Sequence, residues 1–155
     1  MKNLVFLLLA VCLIAGCGRS KAKQEGEMAQ KTAYFERGLE ELKSGKVADA
    51  MKDFENAIRN NPRDSRPYLV LGRIYIAARD YQNAVYSLEF AKKIFPDNGE
   101  VRMLLAESYD RSGKREEAIK NVQESLNIYQ QKRDEENFVK ALVALRFLTE
   151  PQTQN

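Results

Sequence analysis

Apolar residues return at three- and four-residue steps through most of the chain. Between Ser65 and Pro96 one stripe holds Tyr68, Leu71, Gly72 and Tyr75, and a second holds Tyr81, Ala84, Leu88 and Ala91. That is the period of two amphipathic helices. Only Ala78, Arg79 and Asp80 lie between them, too few for a strand or an independent loop, so the helices fold back on each other as a hairpin. The same residue types recur 34 residues away: Tyr34 with Tyr68, Leu71 with Leu105, Gly38 with Gly72 and Ala106, Tyr75 with Tyr109, Ala50 with Ala84 and Ala118, Phe54 with Leu88 and Val122, Ala57 with Ala91 and Ser125, and Pro62 with Pro96. A fixed period of this length, with a small residue at each helix crossing, predicts an all-α helical solenoid.

The recurring positions have physical reasons. Gly38, Gly72 and Ala106 are small so that helix axes can approach while Tyr and Leu fill the spaces between. Gly45 and Gly113 follow the first helix of their hairpins, where a left-handed residue closes a helix. Pro62 and Pro96 stop the second helix; Asp64 or Ser65, and Asp97 or Asn98, then offer side-chain caps for the next.

This unit resembles the tetratricopeptide repeat. Residues 65–98 match its pattern at Tyr68, Leu71, Gly72, Tyr75, Ala84, Leu88, Ala91 and Pro96, with Arg79 in place of the turn glycine. Residues 31–64 match at Tyr34, Gly38, Gly45, Ala50, Phe54, Ala57 and Pro62, but carry Arg37 and Glu41 where apolar residues are usual, which suits an uncovered outer face of a first repeat. Residues 99–132 match at Leu105, Ala106, Tyr109, Gly113, Ala118 and Val122, and have Gln130 in place of the terminal proline. The resemblance implies a right-handed α-solenoid of three hairpins over 31–64, 65–98 and 99–132. A capping helix is expected over 133–148, with acids Asp134, Glu135 and Glu136 in its first turn and an apolar stripe of Phe138, Ala141, Leu142, Leu145 and Leu148. Residues 149–155 are expected to be a disordered tail.

The chain opens differently. Residues 1–16 carry one basic residue, Lys2, and an apolar run from Leu4 to Ile14. The run is too short to span a bilayer comfortably and reads as an export signal. Leu13-Ile14-Ala15-Gly16-Cys17 resembles the lipobox of bacterial lipoproteins, in which the cysteine receives a diacylglycerol thioether, the signal is cut before it and the new N-terminus is acylated. The alternative is an ordinary signal with Cys17 incidental. Several acyl chains would hold the mature protein on a membrane. In a host with two membranes, Gly18 rather than Asp after Cys17 favours, by analogy, the outer one. Residues 18–30 are polar without an apolar stripe and are expected to form a flexible tether.

Composition narrows the function. The 25 Lys plus Arg residues stand against 22 Asp plus Glu, a net charge of +3, and the basic residues are scattered along helices rather than gathered as nucleic-acid binding requires. There is no His, which removes the commonest general base and metal ligand, and no glycine-rich phosphate loop appears. Neither an enzyme, a metal site nor a cofactor is expected. With Cys12 lost in the signal, Cys17 is the one cysteine left, so no intrachain disulfide can form.

What remains is protein binding. In the family this chain resembles, the first helix of each hairpin lines a concave groove. Mapped by position, that groove is Thr32, Phe35, Leu39 and Leu42, then Arg66, Leu69, Arg73 and Ile76, then Glu100, Met103, Glu107 and Asp110. Phe35 and Leu39 occupy the positions where carboxylate-gripping relatives carry Lys and Asn, so that activity is not carried over. The groove would suit an extended or amphipathic segment with apolar anchors and mixed charge; the alternative is that Phe35, Leu39 and Leu42 only pack against the tether or the last helix. Val139, Val143 and Phe147 give the last helix a second apolar face, wide enough for contact with a second copy or another partner. The expected function is an envelope adaptor or assembly scaffold, anchored by lipid, with a self-associating structural protein as the alternative.

Overall fold

The computed structural model describes residues 32–150. Every regular element among them is helical: α1 over 32–43, α2 Val47–Asn60, α3 Ser65–Ala77, α4 Tyr81–Ile94, α5 Gly99–Arg111, α6 Arg115–Lys132 and α7 Glu135–Thr149. The export signal, Cys17, the tether and residues 151–155 of the tail lie outside the described residues. The chain divides after Asn61 into two compact units.

The first unit contains the hairpin of α1 and α2, built on Ala50, Phe54 and Ala57 of α2 and Phe35 of α1, all buried. Gly38 faces the Phe54 ring so closely that a Cβ would lie 2.8 Å from it. The second unit packs α3 on α4, α4 on α5, α5 on α6 and α6 on α7. Its core runs through Tyr68, Leu71, Leu88, Ala91, Val101, Leu105, Ala118 and Val122. Gly72 meets Leu88 as Gly38 meets Phe54, with 2.7 Å left for a Cβ.

Four turns are built alike. Gly45, Arg79, Gly113 and Arg133 all have positive φ. Each donates its N–H to the carbonyl three residues back, and the next residue donates to the carbonyl five residues back, as in Asp80 to Tyr75 at 2.9 Å and Asp134 to Tyr129 at 2.9 Å. This closes helices with a left-handed residue. The turn from α6 to α7 is therefore of the kind found within hairpins. Because Gln130 stands where Pro62 and Pro96 stood, α6 keeps its amide donors and runs on to 18 residues.

Side-chain caps follow. Asp64 accepts from the Arg66 N–H, Asn98 from Glu100 and Val101, Asp80 from Asn83, and Asp134 from Asn137. Asp134 is thus the cap of α7 and lies outside its first turn. The helix itself continues to Thr149, one residue into the segment expected as tail. Within the expected apolar stripe of α7, Ala141 and Leu148 are buried and Phe138 and Leu145 partly so, but Leu142 is exposed. At 100° per residue Leu142 falls at the edge of the stripe that α6 covers.

Two charged residues of α1 reach across the first hairpin, Arg37 with most of its side chain exposed. Arg37 and Glu41 face α2: the Arg37 guanidinium forks onto both oxygens of the buried Asp53 through Nε and Nη2. That bond holds the Asp53 carboxyl below its ordinary range, while burial, with the charges of Asp53 and Asp49 beside it, pushes Glu41 up. An ion-paired fork replaces the apolar contact, because a buried carboxylate needs a fixed donor set.

Candidate functional site

Along α5 the residues Glu100, Met103, Glu107 and Asp110 repeat at three- and four-residue steps and so share one stripe. Across from it stands α7, and α6 closes the floor between them. The space enclosed is a cleft of about 930 Å³. Its apolar lining comes from Met103, Leu104, Ala106, Val122, Tyr129, Ala144 and Leu148, with Phe147 on the α7 side. Its charged lining is mixed: Glu100, Glu107, Asp110 and Arg111 on α5, Lys132 at the end of α6, Asp134 and Lys140 on the α7 side, and Arg73 reaching in from α3.

Several bonds hold these walls. Arg73 Nη2 donates to Glu100 Oε1 at 2.5 Å, joining α3 to α5. Lys132 Nζ at the end of α6 donates to the Asp97 carbonyl before α5 at 2.6 Å. Arg115 at the start of α6 donates through Nε to the Leu148 carbonyl at 2.7 Å and through Nη2 to the Phe147 carbonyl at 3.0 Å, with Asp110 at 4.0 Å. One guanidinium thus ties the last turn of α7 to α6 and approaches α5. Gly99 opens α5 against the Tyr129 ring, where a Cβ would come within 2.6 Å. Burial, with Glu100 and Asp134 nearby, pushes the Tyr129 hydroxyl up to about 12. Behind the cleft, Tyr109 Oη donates to Glu89 Oε1 at 3.0 Å; burial and that carboxylate push it up to about 12 as well.

The expected groove residues divide. Arg73, Glu100, Met103, Glu107 and Asp110 line the cleft. Leu69 and Ile76 are half-buried on α3 and are not part of its lining. Phe35 is corrected: it is buried in the first hairpin, its ring centre 5.7 Å from that of Phe54. Tyr34, expected in the core, is half-buried instead, with the Arg37 guanidinium 5.1 Å from its ring centre. The helix α2 covers Phe35 more fully than Tyr34, so the stripe it buries is centred one residue further along. Leu39 and Leu42 are half-buried on α1. Phe147, expected as an oligomer contact, also lines the cleft, whereas Val139 and Val143 are exposed and outside it. Gly99, Tyr129, Lys140 and Arg115 were not singled out by sequence; only the glycine at a helix start facing a distant tyrosine carried a signal, and it has no fixed spacing.

No group of three or more potential metal ligands occurs among the described residues, and none of the described helices is long and apolar enough to cross a membrane. Two family models, both described as tetratricopeptide repeat, match residues 35–99 and 75–145. The mouse Superkiller complex protein 3 is 34% identical over 70 residues, covering 45% of this chain and 4% of that protein. The chain thus spans a small fraction of the curated relatives it matches. Among solved structures, the Yersinia enterocolitica type III secretion chaperone SycD in complex with a peptide of the translocator YopD superposes with a TM-score of 0.68 at 21% identity, covering 75% of this chain and 89% of that one. The first TPR of Spaghetti (RPAP3) bound to an HSP90 peptide gives 0.66 at 18% identity, covering 77% and 90%.

Proposed function

The chain belongs to the tetratricopeptide repeat family, and from that premise we propose that it is an adaptor, exported and lipid-anchored at Cys17, that holds a segment of an envelope protein in the α5–α7 cleft. The observation that carries the binding reading is the cleft itself, an apolar floor between one wall bearing Glu107 and Asp110 and another bearing Lys140. Such a site suits a segment with two or three apolar anchors, basic residues along its α5 side and an acidic residue near α7. SycD and RPAP3, bound to peptides in their structures, lend support at the level of fold. The anchor rests on the sequence Leu13 to Cys17, and the outer membrane and assembly role on the analogies it carries.

Crosslinking and recovery from membranes tests the cleft. Glu107→Lys and Met103→Glu should each remove the captured protein while leaving helicity unchanged, and Leu39→Asp on the first hairpin should not. Capture that survives both cleft changes would sink this site. Labelling with a fatty-acid analogue tests the anchor separately: the native chain should take up label and Cys17→Ser should not, and an unlabelled native chain would remove the lipoprotein reading.

A further inference from the structure

The outer side of α7 holds apolar surface that its packing on α6 does not use. Val139 (57% exposed), Leu142 (44%), Val143 (65%) and Phe147 (58%) remain open. Together they present roughly 400 Å² of apolar surface, within the range of the largest patch on a typical soluble protein, which is often functional. The charges around them are ordered along the helix: Glu135 and Glu136 in the first turn, Arg146 in the last. At about 100° per residue, Glu136 and Arg146 both flank the valine row on this open side. Their present partners are only neighbours on the same helix, Lys140 at 2.6 Å and Glu150 at 2.5 Å, all four exposed.

Glu150 apart, which pairs with Arg146, the face is acidic at one end, apolar in the middle and basic at the other, and so is complementary to itself when turned end for end. We propose that a second copy of this chain covers it, α7 against α7, antiparallel about a two-fold axis level with Ala141. Val139 of each copy then meets Val143 of the other, Arg146 of each faces Glu136 of the other, and the two helix dipoles oppose. A lipid surface is a poorer occupant, since membrane-lying helices set basic residues beside their apolar face, whereas Glu135, Glu136 and Glu150 stand here. Two such faces with their polar rims bury on the order of 1,000 Å², the low end of specific interfaces. The dimer is therefore weak and reversible. This goes beyond the cleft reading and does not depend on it.

Sedimentation velocity of the full chain in mild detergent, from about 5 to about 500 μM, spans the affinities expected of so small an interface. The native chain should pass reversibly from monomer to dimer. Val143→Glu should raise the midpoint at least about tenfold, since it buries an unpaired charge against Val139 in each half of the interface. Arg146→Glu should weaken association, and adding Glu136→Arg to it should restore it, a rescue that misfolding cannot mimic. Mixing Val139→Cys copies with Val143→Cys copies under mild oxidation should give the mixed disulfide-linked dimer. A native chain monomeric throughout, a dimer indifferent to Val143→Glu, no rescue by the charge exchange, or like-with-like disulfides would each overturn the proposal.

Discussion

Gly72→Ala tests the close crossing of α3 and α4. In an open helix interior this change stabilises by about 1 kcal/mol through helix propensity. Here the added Cβ would lie 2.7 Å from Leu88 Cδ2 and 3.0 Å from Cγ, and Leu88 is fully buried, so its side chain must shift within a packed core. Overpacking of this kind costs about 1–3 kcal/mol, so the net effect is a loss of up to about 2 kcal/mol. Leu88→Val alone removes one buried methylene and costs about 1 kcal/mol. Together the two changes reproduce the pair of the third hairpin, where Ala106 and Val122 share one buried cluster. The double variant should therefore lose much less than the sum, with a coupling of at least about 1 kcal/mol. Urea unfolding followed by circular dichroism at 222 nm measures all four corners. Stabilisation by Gly72→Ala alone, or additive losses, would refute the argument that residue size at this crossing is set by direct contact.

Other consequences are as specific. Arg79 is an L-residue at φ 59° where two other turns have glycine, so Arg79→Gly should relieve left-handed strain and stabilise by about 0.5–1 kcal/mol in thermal unfolding. Tyr109 and Tyr129 titrate near 12 when folded against about 10 unfolded. The folded state thus favours their protonated form, and that contribution is complete below about pH 10 and lost as pH rises towards 12. Absorbance at 295 nm should show a late-ionising component that shrinks with each of Tyr109→Phe and Tyr129→Phe; full ionisation before stability falls would contradict this. Arg115→Ala should remove both bonds to the end of α7 and cost about 1–2 kcal/mol, with faster amide exchange confined to the last turns of α7; unchanged exchange there would contradict it.

Much of the array was legible because its determinants are short-range. Gly72 and Leu88 are 16 positions apart on two helices of fixed pitch, and Pro62 and Pro96 act on their own backbone. The capping residues Asp64 and Asn98 likewise act within three positions. What stayed hidden depends on who covers whom. Periodicity marks Tyr34 and Phe35 as neighbours on one broad stripe but does not choose which α2 buries. Leu142 shares the period of Ala141 and Leu148, yet it lies past the edge of α6. Arg133 and Arg79 enter the left-handed region because the turn demands it, and an arginine gives no sign of that. The cleft was half visible: the stripe on α5 could be read, but its opposing wall could not, since α7 leaves the 34-residue register and its position is fixed by Arg115 reaching 33 residues ahead.

That reach bears on how the protein could be altered. Arg115 grips carbonyl oxygens of Phe147 and Leu148, groups that every residue carries, and only Ala141 and Leu148 of α7 are buried. The latch is therefore blind to side-chain identity along the wall it holds. Lys140 and Phe147, both exposed, could be exchanged as a pair, giving clefts of different selectivity on unchanged hairpins.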